Sequence, residues 1–384
     1  MNWRVLSLAV AALGLVACSG SDDDEITPSP VPEIRTELDI KPLWRRATDA
    51  VNESIASRMS PAVENGKVFV AGSNGTVAAF SLTEGKEVWS VDLGQPIRSG
   101  VAAGDDLVVV SGNDGDVIAL DAQNGKVVWR NLVSSEVIVP AAIGEGAVVV
   151  RTNDGKLFAL DSKTGKRLWF YDKTVPVLTL RGTSRPVIAH GAVICGFDTG
   201  KISLFLLKDG RLIWEHQVAK AVGRSELERI VDMDTKPLLV GEVVYAVSYN
   251  GNLAALDLRS GRPIWQREMS AYQDLATDGR RLFVVTSEDV IRALDRNSGS
   301  TLWNQPALTY RQLTAPVVVG DYVVVGDYEG YLHWMDVSDG HFVLQYQTDS
   351  DGLAGPLTVS GRYLIAQTRD GDVVVFEGPE PTYK

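Results

Sequence analysis

Cysteine and histidine are scarce in this chain of 384 residues, which carries two of the first and four of the second. The histidines (His190, His216, His333 and His341) form no zinc spacing, no Cys-His pair and no haem-attachment motif with Cys18 or Cys195. Positive charge is also short: the formal net charge is −12, which leaves no electrostatic footprint for nucleic acid. Glycine is plentiful, at 36 residues, yet no Gly-x-Gly-x-x-Gly stands at a strand-to-helix turn to cradle a phosphate. The apolar run from Val5 to Ala17 is too short to span a bilayer. No catalytic constellation, metal site or cofactor motif emerges from these residues.

What the chain has instead is one sentence said many times. Asp114-Gly115 opens an alternating strand to Asp121, then Gly125-Lys126 and Trp129 follow. Asp154-Gly155 leads likewise to Asp161, Gly165 and Trp169, and Asn250-Gly251 to Asp257, Gly261 and Trp265. Weaker copies run from Asn74-Gly75 to Trp89, from Thr199-Gly200 to Trp214 and from Asp289 to Trp303. Glu329-Gly330 leads to Leu344, and Asp370-Gly371 starts a copy that stops before its tryptophan position. In the seven complete copies the Trp, or Leu344, lies eight residues beyond the Asp position. A fixed period of this kind signals a repeat architecture.

Each copy reads as four short antiparallel strands in about 40 residues, the size of a propeller blade. The X-Gly pair supplies the positive φ of a two-residue hairpin. The Asp is suited to accept N–H groups of the next turn. A proline 14 or 15 residues before the hairpin Gly (Pro61, Pro140, Pro186, Pro237, Pro316, Pro356) suits the first residue of a strand. The last copy has three strands and no fourth, whereas Lys41-Pro42-Leu43-Trp44 has a fourth strand without three before it. The expected fold is therefore all-β, an eight-bladed propeller of four-stranded antiparallel blades. The strand around Trp44 closes the ring and removes the free edges.

The domain plan follows: residues 1–17 as a signal peptide, 18–38 as a flexible linker and 39–384 as the propeller. Arg4 followed by an apolar stretch suits a signal peptide. Leu15-Val16-Ala17-Cys18 resembles a bacterial lipobox, which implies that Cys18 is acylated and becomes the mature N-terminus. In such signals an Asp after the cysteine marks inner-membrane retention; Ser19 stands there, so the expected address is the outer membrane. Asp22-Asp23-Asp24-Glu25 with Pro28, Pro30 and Pro32 reads as a solvated tether, not a metal site. With lipid on Cys18, Cys195 has no disulfide partner and reads as a small buried hydrophobe.

Two connections between blades are enlarged. From each Trp to the proline opening the next blade, Trp129 to Pro140 is 11 residues and Trp303 to Pro316 is 13, but Trp169 to Pro186 is 17 and Trp214 to Pro237 is 23. Trp44 to Pro61 is also 17. In a four-stranded blade such connections emerge on the same face as the Gly hairpins, so two long neighbours make a docking platform. Leu178 and Leu180 are candidate apolar anchors, Arg181 a charged one, and Asp232 and Asp234 acceptors. The alternative is that the leucines pack beneath their own loop and the aspartates cap turns.

The repeat Ala-Leu-Asp-x-x-x-Gly-Lys-x-x-Trp, at Ala119 to Trp129 and Ala159 to Trp169, is similar to the repeat of pyrroloquinoline quinone (PQQ) dehydrogenases. With its lipobox and blade count, the whole chain more closely resembles the BamB family, lipoproteins of the outer-membrane β-barrel assembly machinery. Pro176-Val177-Leu178-Thr179-Leu180-Arg181-Gly182 and Asp232-Met233-Asp234-Thr235-Lys236-Pro237 carry that resemblance, with Tyr249-Asn250-Gly251-Asn252-Leu253 and Gly330-Tyr331-Leu332-His333-Trp334. It implies a non-catalytic scaffold, without cofactor, on the periplasmic face of the outer membrane. Its implied partners are BamA, other lipoproteins of the Bam complex and unfolded outer-membrane proteins. The leucines, the arginine and the two aspartates would contact the periplasmic POTRA domains of BamA. A quinoprotein dehydrogenase would instead need Ca²⁺ ligands on the propeller axis, and such enzymes typically carry adjacent cysteines, which this chain lacks. A propeller binding a sugar or peptide is the third reading.

Overall fold

The computed structural model describes residues 27–49, 59–112, 114–172, 183–220 and 230–380. Among these, the regular elements are all strands, arranged in eight four-stranded antiparallel sheets. Blades 1 to 7 occupy residues 62–92, 97–132, 142–171, 187–217, 238–268, 276–305 and 317–347. Blade 8 takes its three inner strands from 358–377 and its outermost from Pro42–Ala47. That outer strand runs antiparallel to Asp372–Glu377, with Trp44 opposite Val375. The expected closure by the N-terminal strand is observed.

The core lies between blades, because a blade has two apolar faces and no layer of its own to cover them. Eight clusters of buried side chains fill eight interfaces. The one that seals the ring joins Trp44, Ile365, Val373 and Val375 of blade 8 to Val68, Val70, Phe80 and Leu82 of blade 1. The six opening prolines sit one or two residues ahead of the innermost strands of blades 1, 3, 4, 5, 7 and 8, where no ladder hydrogen bond is lost.

The periodic tryptophans weld each blade to the next, except between blades 7 and 8, where Leu344 takes the position. Trp89 donates its indole N–H to the Ala122 carbonyl of blade 2 at 3.1 Å, and Trp129 to that of Ser162 in blade 3 at 2.7 Å. The acceptor always lies in the turn between the two outer strands of the following blade. The indole lies flat on the glycine of that turn: a Cβ at Gly125 would come within 2.6 Å of the Trp89 ring. The Asp of the repeat organises the same turn as expected, the Asp121 carboxylate accepting the N–H groups of Gln123 at 2.8 Å and Asn124 at 3.1 Å.

Two expectations are corrected. The X-Gly hairpins are three-residue loops, not two-residue ones. Thr152 N–H bonds the Lys156 carbonyl, Gly155 N–H bonds the Thr152 carbonyl, and Gly155 takes φ +84°. A tight turn followed by a left-handed residue gives this longer form, which matches the strand twist equally well. Residues 18–38 were expected to be a free linker, yet from residue 27 onward the chain lies against blade 7. Ser29 N–H bonds the Thr309 carbonyl at 3.0 Å, and Glu37 and Leu38 N–H bond the Val343 carbonyl at 2.8 and 3.3 Å. Leu38 and Ile40 pack onto the apolar cluster shared by blades 7 and 8.

Candidate docking face

Chain direction within a blade puts the Gly hairpins and the connections between blades at one face, and the Asp-x-x-x-Gly turns at the other. The enlarged connections run from blade 3 to blade 4 and from blade 4 to blade 5, so they are neighbours on the hairpin face. Leu178, Leu180, Arg181 and Cys18 lie outside the described residues. The ends of both connections are described, and they are stitched together. Ser184 Oγ donates to the Thr235 carbonyl at 2.8 Å and accepts the Gly196 N–H at 3.0 Å. Thr235 Oγ in turn donates to the Val247 carbonyl at 3.0 Å. Met233, fully buried, fills the interface between blades 4 and 5, and the Tyr249 N–H bonds the Asp232 carbonyl at 3.0 Å.

Asp232 and Asp234 are therefore not surface acceptors here: their exposures are 1% and 3%. Every member of Asp232-Met233-Asp234-Thr235 is buried, which seats the end of the second connection firmly on the propeller. Beneath the same connections lies a charge that the sequence reading did not single out. Arg151 ends an otherwise apolar strand of blade 3 at 1% exposure. It donates to Asp198 Oδ1 at 2.9 Å and to the Gly196 carbonyl, with its guanidinium 4.6 Å from the centroid of Phe197. Burial opposes the arginine's charge, but the attraction of Asp198, with the hydrogen bond to the Cys195 sulfur and the charge of Asp234, outweighs it and raises its pKa. A buried cation paired across blades 3 and 4 holds the first platform edge in one geometry. An arginine closing a run of valines was the available signal.

A second buried polar group sits on the hairpin face at blades 6 and 7. Arg311 donates to Asp327 Oδ2 at 2.8 Å through Nε and also pairs with Glu329, while His333 Nε2 lies 2.9 Å from the same Asp327 oxygen. Burial alone would raise the Asp327 carboxyl, but the bonds from His333 and Arg311 hold it below the usual carboxylate range. His333 and Asp327 are fully enclosed, so this pair has no access to a substrate. Cys195 is likewise buried, with burial pushing its thiol up, away from nucleophilic thiolate. Carboxylates gather closely enough to hold a cation at Asp349, Asp351 and Asp370, a mostly exposed group on the rim.

The profile of the family described as "Outer membrane protein assembly factor BamB" matches residues 73–305 and 287–379. A protein of that description from Kangiella koreensis is 42% identical over 386 residues, covering 100% of this chain and 98% of that protein. One from Pseudomonas aeruginosa is 44% identical, covering 98% of this chain and 99% of that protein. One from Escherichia coli K12 is 36% identical, covering 95% and 96% respectively. The crystal structure of BamB from Moraxella catarrhalis superposes with a TM-score of 0.81 at 29% identity, over 88% of this chain and 99% of that one. A quinohemoprotein alcohol dehydrogenase from Comamonas testosteroni reaches a TM-score of 0.71 at 14% identity, over 90% of this chain and 78% of that one, a likeness of fold alone. Profile, full-length relatives and blade architecture agree: the chain belongs to the BamB family of outer membrane protein assembly factors.

Proposed function

We propose that this protein is a non-catalytic scaffold of outer-membrane β-barrel assembly, anchored by acylated Cys18 at the periplasmic face of the outer membrane. Its two long connections dock on the POTRA domains of BamA, and from there it aids delivery of unfolded outer-membrane proteins alongside the other Bam lipoproteins. The observation that carries this reading is the stitching of residues 183–186 to 230–237 through Ser184 and Thr235. It makes two neighbouring connections into one platform, so a single partner element can engage both. Leu178, Leu180 and Arg181 supply the direct contacts. Asp232 and Asp234 hold the second connection from beneath rather than reaching the partner themselves. Binding of the soluble chain to purified BamA POTRA domains, measured by calorimetry, tests this directly; absence of binding would sink the docking role. Incubation with PQQ and Ca²⁺ tests the absence of catalysis, since a retained chromophore would revive the dehydrogenase reading.

A further inference from the structure

The segment between the membrane signal and the propeller is not spent as slack. Ser29 is bonded at two points on the hairpin face: its N–H to the Thr309 carbonyl at 3.0 Å, and its carbonyl to Arg311 Nη1 at 2.8 Å. Both partners lie in the connection from blade 6 to blade 7, and Arg311 is itself locked by Asp327 and Glu329. From there the chain crosses the outer side of blade 7 to its far end, where Glu37 and Leu38 bond Val343 and Glu37 lies 3.6 Å from His341. Leu38 and Ile40 cover the cluster that contains Leu344. Prolines at 28, 30 and 32 keep the crossing stretch extended and lower the entropy lost on docking.

The docking also answers a defect of ring closure. Every other blade offers the preceding tryptophan a turn between its two outer strands. Blade 8 has none, because its outer strand comes from the N-terminus. Leu344 stands where the Trp would be, and the residues entering that outer strand fill the space.

We propose that residues 27–40 form an orienting strap, which turns the hairpin face at blades 6 and 7 toward the lipid surface. This rests on acylation of Cys18. With the strap docked, 11 residues separate Cys18 from Ser29, a reach of at most about 36–40 Å. With it released, the 24 residues from Cys18 to Pro42 would reach about 80–90 Å, enough to let the propeller tumble in any orientation. The anchor and the platform for BamA then share one face, two blades apart.

Two measurements test the strap separately from the anchor. In the soluble chain beginning at Ser19, amide exchange at Ser29, Glu37 and Leu38 should be at least about tenfold slower than in unprotected backbone. Exchange at the unprotected rate would overturn the docked strap whether or not Cys18 is acylated. For orientation, the acylated full chain is bound to phosphatidylethanolamine–phosphatidylglycerol vesicles containing spin-labelled lipid. A fluorophore is placed by E288C on the hairpin end of blade 6 or by N297C on its opposite end; both positions are exposed and Cys195 is buried. The short tether predicts quenching at least about twofold stronger at position 288 than at 297. That difference should vanish when residues 27–38 are replaced by an equal length of Gly-Ser. Equal quenching in the native strap would overturn the orientation. Failure of the native chain to sediment with vesicles would instead sink the acylation of Cys18.

Discussion

Trp44 and Leu82 are joined by a 2.8 Å hydrogen bond from the indole N–H to the backbone carbonyl, and through it the two ends of the chain become one ring. The geometry repeats that of the six interfaces from blades 1 and 2 to blades 6 and 7, down to Gly85, where a Cβ would come within 2.5 Å of the Trp44 ring. A residue near the N-terminus thus does for blades 8 and 1 what Trp129 does for blades 2 and 3.

Trp44→Ala should accordingly destabilise by roughly 3–5 kcal/mol, as buried aromatic truncations do. Thermal unfolding followed by circular dichroism should show a clear fall in Tm, matching that of Trp129→Ala. If Trp44→Ala melts like the unmutated chain while Trp129→Ala does not, closure is not maintained through this contact.

The turn glycines give a sharper test of the same contact. Gly125→Ala puts a methyl group 2.6 Å from the Trp89 ring at a residue with φ +72°. Overpacking of this kind costs about 1–3 kcal/mol, and the left-handed backbone adds about 1 more. Gly146→Ala, with a similar φ of +81° and open space around it, isolates the backbone part. The Tm should fall further for Gly125→Ala than for Gly146→Ala, and equal losses would remove the packing argument.

The repeat was readable because its constraints are local and recur. A Trp needs a flat glycine, a hairpin needs a left-handed residue, and both leave fixed spacings. Leu344 was readable as an exception but not explicable, since its reason is the turn that blade 8 lacks. The strap was misread as linker because its hydrogen bonds use backbone of Ser29, Glu37 and Leu38 with partners roughly 280–310 positions away, and backbone leaves no mark in composition. Asp232 and Asp234 were misread as surface groups for a related reason. Their burial depends on Met233 reaching the interface of blades 4 and 5, a tertiary event.

Asp289 should give the protein an acid-side signature. Burial pushes its carboxyl up to about 6, against the N–H groups of Leu313 and Gln312 that favour the charged form. Because the folded pKa exceeds the unfolded one, the folded state holds more protons between pH ~4 and ~6, and this group's contribution to stability falls as pH rises through that window. The loss is on the order of 2–3 kcal/mol and is complete above pH ~6. Asp327, held low, acts in the opposite sense below pH ~4. Chemical denaturation of wild type and Asp289→Asn at pH 4, 5, 6 and 7 isolates the effect, since Asn also tolerates the left-handed φ of +61°. The difference between the two chains should change with pH only below 6; a constant difference would show that Asp289 titrates normally.

The docking assignment is tested by separating binding from stability. Leu180→Ala and Arg181→Ala alter the proposed contact residues, and hot-spot truncations cost at least about 2 kcal/mol, some thirtyfold in affinity. Their affinity for BamA should fall by that order with Tm nearly unchanged. Asp232 and Asp234 are enclosed, so Asp232→Ala and Asp234→Ala should lower Tm as well as affinity. Ser184→Ala removes the stitch between the connections and leaves both sets of contact residues intact, so it should weaken binding less than Leu180→Ala while loosening exchange near Gly196. Asn74→Ser, in a hairpin of blade 1 far from the platform, should leave binding alone. Should Leu180→Ala and Arg181→Ala bind BamA normally while folded, the platform lies elsewhere on the ring, even with the propeller and its closure intact.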